Sequence, residues 1–216
     1  MPQVTVQRVE RPSETQIEAS VALFVSCMKD NIAALSLSGC DATLLDPMAR
    51  STLMAGILAG EYYNATDESG DVVGFALWMP PGEEMFSKPE QRELGLNDFM
   101  ARLPEVGRDY YKNTYSAVFL DFVSSCLGPT GKRDAWWLHM LMVHPERQRQ
   151  GIGRALVGPV LEKATQKGEV LALSTTTHTN VPIYTAMGFK EMGGRTVPSP
   201  LGEWPLHVFS LDTRTP

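Results

Sequence analysis

AWWLHMLMVHPERQRQGIGRAL, residues 135–156, joins a near-continuous apolar run to a basic, glycine-containing turn and the start of a helix. The run Ala135–Val143 has the length and unbroken hydrophobicity of a strand buried on both faces. Gly151 and Gly153 sit where that strand gives way to a helix expected to reach Lys167. A helix start offers free backbone N–H groups and the positive end of the helix dipole, which suit an anion. Two nucleotide fingerprints fail on spacing: a dinucleotide loop needs a third glycine where this chain has Leu156, and a Walker loop needs Lys followed by Ser or Thr. The glycines alone leave a plainer reading open, a tight turn that requires only small residues.

Downstream, EVLALST (169–175) reads as a second buried strand, Val181–Met187 as a short helix, and Phe189–Thr196 and Leu206–Leu211 as closing strands. Upstream, Val4–Val9 alternates as a strand, Pro12-Ser13 breaks it, and Glu14–Met28 carries Ile17, Val21, Phe24, Val25 and Met28 on one helical face. After the irregular SLSGCDATLLDP, a second helix is expected over about Met48–Leu58, closed by Gly60. GEYYNAT and VVGFALWMP flank the turn DESGD and make the clearest hairpin. Residues 83–134 are polar, weakly helical and too long for a simple connection, so they read as a helical insertion that covers a site. Gly158-Pro159 is expected to bend the helix after the glycine turn, beyond its first two turns. The element order is an α/β layout around one mixed sheet, within a single domain spanning residues 1–216.

A formal net charge of -6 and the lack of any Lys/Arg-rich block argue against a general nucleic-acid binder, so any basic site is local. Cys27, Cys40 and Cys126 lack metal-ligand spacing and read as free thiols of a reducing compartment. His144, His178 and His207 also lack such spacing, and no metal is expected. The N-terminal MPQVTVQRVERPSET has no signal-peptide core, and no run reaches the length of a membrane span. The expectation is a cytoplasmic protein with no membrane partner, in which the sequon Asn64–Thr66 is a coincidence.

LxxLxVxPxxQxxGxG, carried by Leu138, Leu141, Val143, Pro145, Gln148, Gly151 and Gly153, resembles the acetyl-CoA signature of the GNAT N-acetyltransferase family. One helix and one strand later, TNVPIYTAMGF (179–189) resembles that family's later motif, with Asn ahead of Tyr and a closing Gly-Phe. The resemblance covers roughly Asp71–Leu211 and reaches the N-terminal helices by layout alone. ALWMPP, AWWLHMLMVHP and NVPIY together look closest to the puromycin-acetyltransferase-like branch. The fold so implied is α+β: a single mixed, mostly antiparallel sheet with helices on both faces and a helical insertion before the central cofactor-binding strand.

On that resemblance acetyl-CoA is the cosubstrate. Gln148, Arg149, Gln150, Gly151, Ile152, Gly153 and Arg154 would hold its pyrophosphate, chiefly through backbone N–H groups. Arg149 and Arg154 either pair with phosphates or stand exposed. The pantetheine arm would run along Leu141, Met142 and Val143 as an added strand, with an N–H near Leu141–Met142 polarising the thioester carbonyl. Ser174 and Thr175 would lie across the parting between this strand and the next. Asn180 matches the pantetheine-bonding position; its plain alternative is capping the helix that begins at Val181. Tyr184 matches the residue that protonates the departing thiolate; its plain alternative is a buried aromatic beside Met187 and Phe189.

His139 stands where arylalkylamine-acetylating relatives carry a histidine that drains the amine proton, against the alternative of a structural core histidine. Histone-acetylating relatives place a Glu two residues earlier, here Trp137, which weakens a protein-lysine reading. Glu83, Glu84 and Asp121 are further acidic candidates with no geometry to rank them. The function implied is acetylation of a primary amine on a small molecule by direct transfer in a ternary complex, since no cysteine lies in either motif. Two alternatives stay open: a protein or peptide N-acetyltransferase, which a wide groove would favour, and a non-catalytic CoA-binding regulator, which would not need Tyr184.

Overall fold

A computed structural model describes residues 4–214; Met1–Gln3, Thr215 and Pro216, part of the domain expected over 1–216, lie outside the described residues. Seven strands form one sheet: β1 (Thr5–Arg8), β2 (Glu61–Thr66), β3 (Val72–Met79), β4 (Trp136–Val143), β5 (Val170–Thr175), β6 (Lys190–Val197) and β7 (Trp204–Asp212). Their order is β1-β2-β3-β4-β5-β7-β6, and the pairing of β4 with β5 is the parallel one. This is the mixed, mostly antiparallel sheet expected of the chain.

Local chemistry sets the helices. In α1 (Glu14–Met28), Ser13 and Gln16 form a reciprocal capping box, each side chain accepting from the other's backbone N–H. Asn31 caps α2 (Ile32–Leu37) by accepting the Ala34 N–H. The sequence reading missed α2, because six residues are too few to establish a helical period. α3 (Leu45–Ala59) starts ahead of the expected Met48, with Pro47 in its first turn, where a missing N–H costs nothing.

After an irregular start at residues 83–88, the insertion is a series of short helices: α4 (Pro89–Glu93), α5 (Leu96–Arg102), α6 (Glu105–Asp109), a wide π-type turn at Tyr110–Tyr115, α7 (Ser116–Leu127) and α8 (Gly131–Asp134). α4 and α5 pack on α3, the wide turn on α2, and α7 on β6 and β7. Tyr115 stacks on Phe119, and Trp204 Nε1 donates to the Tyr110 hydroxyl at 3.0 Å. These rings fasten the insertion to the closing strands.

α9 (Ile152–Lys167) and α10 (Val181–Ala186) cover the opposite face. Leu156, Val157, Val160 and Ala164 of α9 bury against Tyr63, Trp78, Trp136 and Leu138. α9 runs unbroken across Gly158-Pro159. On the other face, α1 and α3 pack on Tyr62, Phe75, Leu77 and Met140. Asn64 is fully buried in β2, out of reach of a glycosylating enzyme in the folded chain. Among the described residues, no helix is long and apolar enough to cross a membrane.

One irregularity positions everything that follows. Leu77 pairs with Met140 but Trp78 with Leu138, so His139 is an extra residue in β4, a β-bulge. Trp136 and Leu138 face α9 before it; Leu141 and Val143 do so after it, while Met140 turns to α1 and α3. The bulge therefore switches which parity of residue looks toward the glycine turn.

Candidate active site

β4 and β5 pair only from Trp136↔Leu171 to Leu138↔Leu173, and the two strands part beyond that point. Past the parting, β4 stays paired to β3 on one side and faces a gap on the other. The His144 N–H bonds to Val73 O, and an antiparallel ladder alternates its bonds. The Met142 main chain is therefore used by β3, whereas the N–H and C=O of Leu141 and Val143 turn into the gap. Val143 O is met there by Gln148 Nε2 at 3.2 Å and by the Cys27 thiol at 3.5 Å. Of the two residues expected to supply a carbonyl-polarising N–H, parity selects Leu141.

The glycine turn reaches its shape through two left-handed residues, Arg149 at φ 60° and Gly151 at φ 83°. Gly151 adopts that region without strain and precedes α9 as its N-cap. The N–H groups from Gln150 to Arg154 have no partner among the described residues, and the first bond of the helix runs from the Ala155 N–H to Gly151 O. At Gly153, an added Cβ would meet nothing closer than Met187 Cε at 3.6 Å, so internal packing does not demand a glycine there. The Gln150 side chain donates to Glu146 O and steadies the turn. Arg149 is exposed, while Arg154 is tied by a hydrogen bond to Ala186 O at the end of α10. Arg147, which the sequence reading passed over, lies 3.9 Å from Asp67 of the β2–β3 turn.

The gap and the turn open into one cleft of about 620 Å³, lined by Leu141, Val143, Gln148, Arg149, Gly151, Ile152, Gly153 and Arg154 on one side. Asn180, Pro182, Ile183, Tyr184, Ala186 and Met187 of α10 and its approach line the other. Four of the expected cofactor-binding residues stand outside the lining: Met142 faces α1 and α3, Gln150 braces the turn, and Ser174 and Thr175 end β5 beyond its last pairing with β4.

Tyr184 is 8% exposed and packs edge-on to Phe189 at 6.0 Å. Burial pushes its phenol up to about 12. Asn180 corrects one expectation. Its side chain makes no cap to α10; Nδ2 donates instead to Thr175 Oγ1 at 2.8 Å, drawing the end of β5 toward the cleft.

His139 lies on the opposite face, in a tight recess with Trp137, Lys132, Glu83 and Glu84. Its Nε2 is buried without a hydrogen-bond partner, and burial, helped by the charge of Lys132, pushes the ring down to about 3. An imidazole that resists protonation this strongly is a poor sink for an ammonium proton, which weakens the base role expected of it. Of the acidic candidates, Glu83 is paired to Lys88 at 2.9 Å, and Asp121 is exposed on α7. Burial raises the Cys27 thiol, which stays protonated near neutrality.

One cluster escaped sequence reasoning. His178, His207 and Glu191 are hydrogen-bonded to one another just past the end of β5. Their spacing carries no signal, because the contact exists only through the pairing of β7 with both β5 and β6.

The family model described as an acetyltransferase (GNAT) domain matches residues 91–199. A Schizosaccharomyces pombe protein described as an uncharacterized N-acetyltransferase is 30% identical over 124 residues, 56% of this chain and 49% of that protein. The match thus spans about half the length of that relative. A Corynebacterium glutamicum structure described as histone acetyltransferase HPA2 and related acetyltransferase superposes with a TM-score of 0.64 at 17% identity, covering 100% of this chain and 99% of that one. The Drosophila melanogaster polyamine N-acetyltransferase, described as forming N-acetylagmatine, gives a TM-score of 0.56 at 14% identity over 97% of this chain and 100% of its own. At such identities the two structures speak for the fold alone.

Proposed function

Because the chain belongs to the GNAT acetyltransferase family, we propose that it is a single-domain enzyme that moves an acetyl group from acetyl-CoA to a primary amine of a small molecule, in a ternary complex. The observation that carries this reading is the convergence of three features on one 620 Å³ cleft: unpartnered N–H groups at the start of α9, the gap-facing main chain of Leu141, and the Tyr184 phenol. The donor set fits the cosubstrate. The N–H groups of Gln150–Arg154 suit a pyrophosphate, with Arg149 free to add charge. The missing side chain at Gly153 leaves the backbone bare to it, and the gap-facing edge of β4 offers main-chain partners to the amide-bearing arm.

The Leu141 N–H is aimed where negative charge develops on the thioester oxygen, which makes it the natural oxyanion donor. Tyr184 then serves the departing sulfur. Complete proton transfer from a phenol at about 12 to an ordinary thiolate is uphill by about 5 kcal/mol. The same apolar surroundings raise the sulfur's own proton affinity and narrow that difference, so Tyr184 acts first as a hydrogen-bond donor. Cys27, protonated and bonded to Val143 O, is no nucleophile, which favours direct attack by the amine. The helical insertion over the opposite face favours a small acceptor, and the free thiols of Cys27, Cys40 and Cys126 support a cytoplasmic setting.

Thiol release from acetyl-CoA, measured with agmatine, puromycin and lysine- or N-terminal-amine peptides, tests the reading. A small amine should stimulate release and the peptides should not. Calorimetric binding of acetyl-CoA with no stimulation by any amine would overturn it in favour of a CoA-binding regulator.

A further inference from the structure

His207 Nδ1 lies 2.6 Å from Glu191 Oε1, and His207 Nε2 lies 2.9 Å from His178 Nδ1. Each contact fixes a proton. An ionised carboxylate can only accept, so the His207 hydrogen sits on Nδ1. In the neutral ring Nε2 is then a lone pair, and it accepts the Nδ1–H of His178. The remaining position, His178 Nε2, is left as a lone pair on an exposed residue. The chain of contacts thus turns a surface histidine into a base of defined tautomer.

The fold invests in holding this arrangement. His207 is 9% exposed, pinned between Thr175 of β5 and Gly194 of β6. A Cβ at Gly194 would come within 3.0 Å of His207 Nδ1 and 3.2 Å of Glu191 Oε1, so the glycine keeps open the space that the pair occupies. The cluster also stands on the segment that leads into the cleft. His178 lies three residues past the end of β5, and its ring meets His207 on β7. Two residues on, Asn180 bonds Thr175 and lines the cleft with Tyr184. On the acceptor side, Asn31 Nδ2 bonds Thr176 Oγ1 at 3.1 Å, tying the start of α2 to the same segment.

We propose that His178 is the group that takes the proton of the attacking amine, and that His207 and Glu191 are positioning residues that set its tautomer; this rests on the acetyl-transfer reading. The ammonium passes a proton to His178 Nε2, directly or through one water. The freed nitrogen lone pair forms the C–N bond at the thioester carbon, the nitrogen of the adduct gives its second proton to solvent, the C–S bond breaks with its electron pair on sulfur, and sulfur takes the proton of the Tyr184 phenol. Solvent returns the His178 proton to the phenolate. Meanwhile Glu191 offsets the positive charge that the two rings share.

The test uses the full chain. Long-range 1H–15N NMR with CoA bound should find the His178 hydrogen on Nδ1, and Glu191→Gln should mix the His207 tautomers. With agmatine, or puromycin if it is faster, His178→Ala should lower kcat about 100-fold. Its KM for acetyl-CoA should stay within about twofold, and added imidazole should restore part of the rate. Glu191→Gln should lower kcat about tenfold with the same KM. Both substitutions are at surface positions and leave the buried ring in place. Wild-type turnover in His178→Ala, a rate that imidazole does not raise, or a His178 hydrogen on Nε2 would each overturn the assignment. A wild-type chain that releases no thiol with any amine would sink the acetyl-transfer reading itself.

Discussion

Tyr184 and Gly153 separate folding from chemistry at single positions. Because burial holds the Tyr184 phenol at about 12, it remains protonated through neutral and mildly basic pH, and no loss of kcat below about pH 11 should trace to its ionisation. Tyr184→Phe should lower kcat about 10- to 100-fold while leaving the KM for acetyl-CoA nearly unchanged, as steady-state kinetics would record. A wild-type rate would remove the donor role and leave only the aromatic packing on Phe189 and Phe209. Gly153→Ala is expected to raise thermal stability slightly, by about 0.5–1 kcal/mol, since alanine favours the helix and its Cβ has room. The same substitution should weaken acetyl-CoA binding about tenfold by calorimetry, because Leu141, Val143 and Met187 around that methyl are walls of the cleft. Stability and affinity moving in opposite directions is a result that a purely structural glycine cannot give. Both residues were legible in the sequence because a motif carries them. Asn180 was legible as a position but not as a contact, since its bond to Thr175 depends on how β5 ends.

Strands with unbroken or alternating hydrophobicity, such as β3 and β4, declare themselves in sequence. A bulge does not, because one extra residue leaves the apolar run of β4 intact while reversing which side chains face α9. That is why Leu141 and Met142 could not be separated until the register with β3 was known. The seating of α9 has a polar counterpart. Glu61 of β2 receives Lys163 of α9 at 2.7 Å, the Tyr63 hydroxyl at 2.7 Å and Arg8 of β1 at 3.3 Å. Burial alone would raise the Glu61 carboxyl, but Lys163, Tyr63 and Arg8 outweigh it and hold the group below its ordinary range. Its contribution is therefore present above the ordinary carboxylate range and lost as pH falls through the lowered value. Glu61→Gln should cost about 1–3 kcal/mol at neutral pH in urea unfolding, and the gap to wild type should close below about pH 4. A gap that persists in acid would mean that packing, not charge, joins α9 to the sheet.

Across the whole molecule, the two faces of the sheet differ. The cleft opens on the α9 and α10 side, whereas α1, α2, α3 and the insertion close the other face. Motif order pointed to most of the residues that line the cleft. The opposite face was not legible, because the insertion helices are short and the contacts of Tyr110 and Tyr115 with Trp204 join segments far apart in the chain. The proposed direct transfer nevertheless implies a kinetic order. An acyl-enzyme would need a nucleophile at the parting, and the thiol nearest to it, Cys27, is raised by burial and engaged with Val143 O. On the proposed direct transfer both substrates are bound before the acetyl group moves, so initial rates with acetyl-CoA varied at several fixed concentrations of amine should give intersecting double-reciprocal lines. Cys27→Ser should retain turnover within about threefold, and its line pattern should be the same. Parallel lines that vanish together with activity in Cys27→Ser would replace direct transfer by a two-step route through that thiol. Intersecting lines in both proteins require the amine to reach the thioester carbon directly, in the cleft that Leu141 and Tyr184 line together.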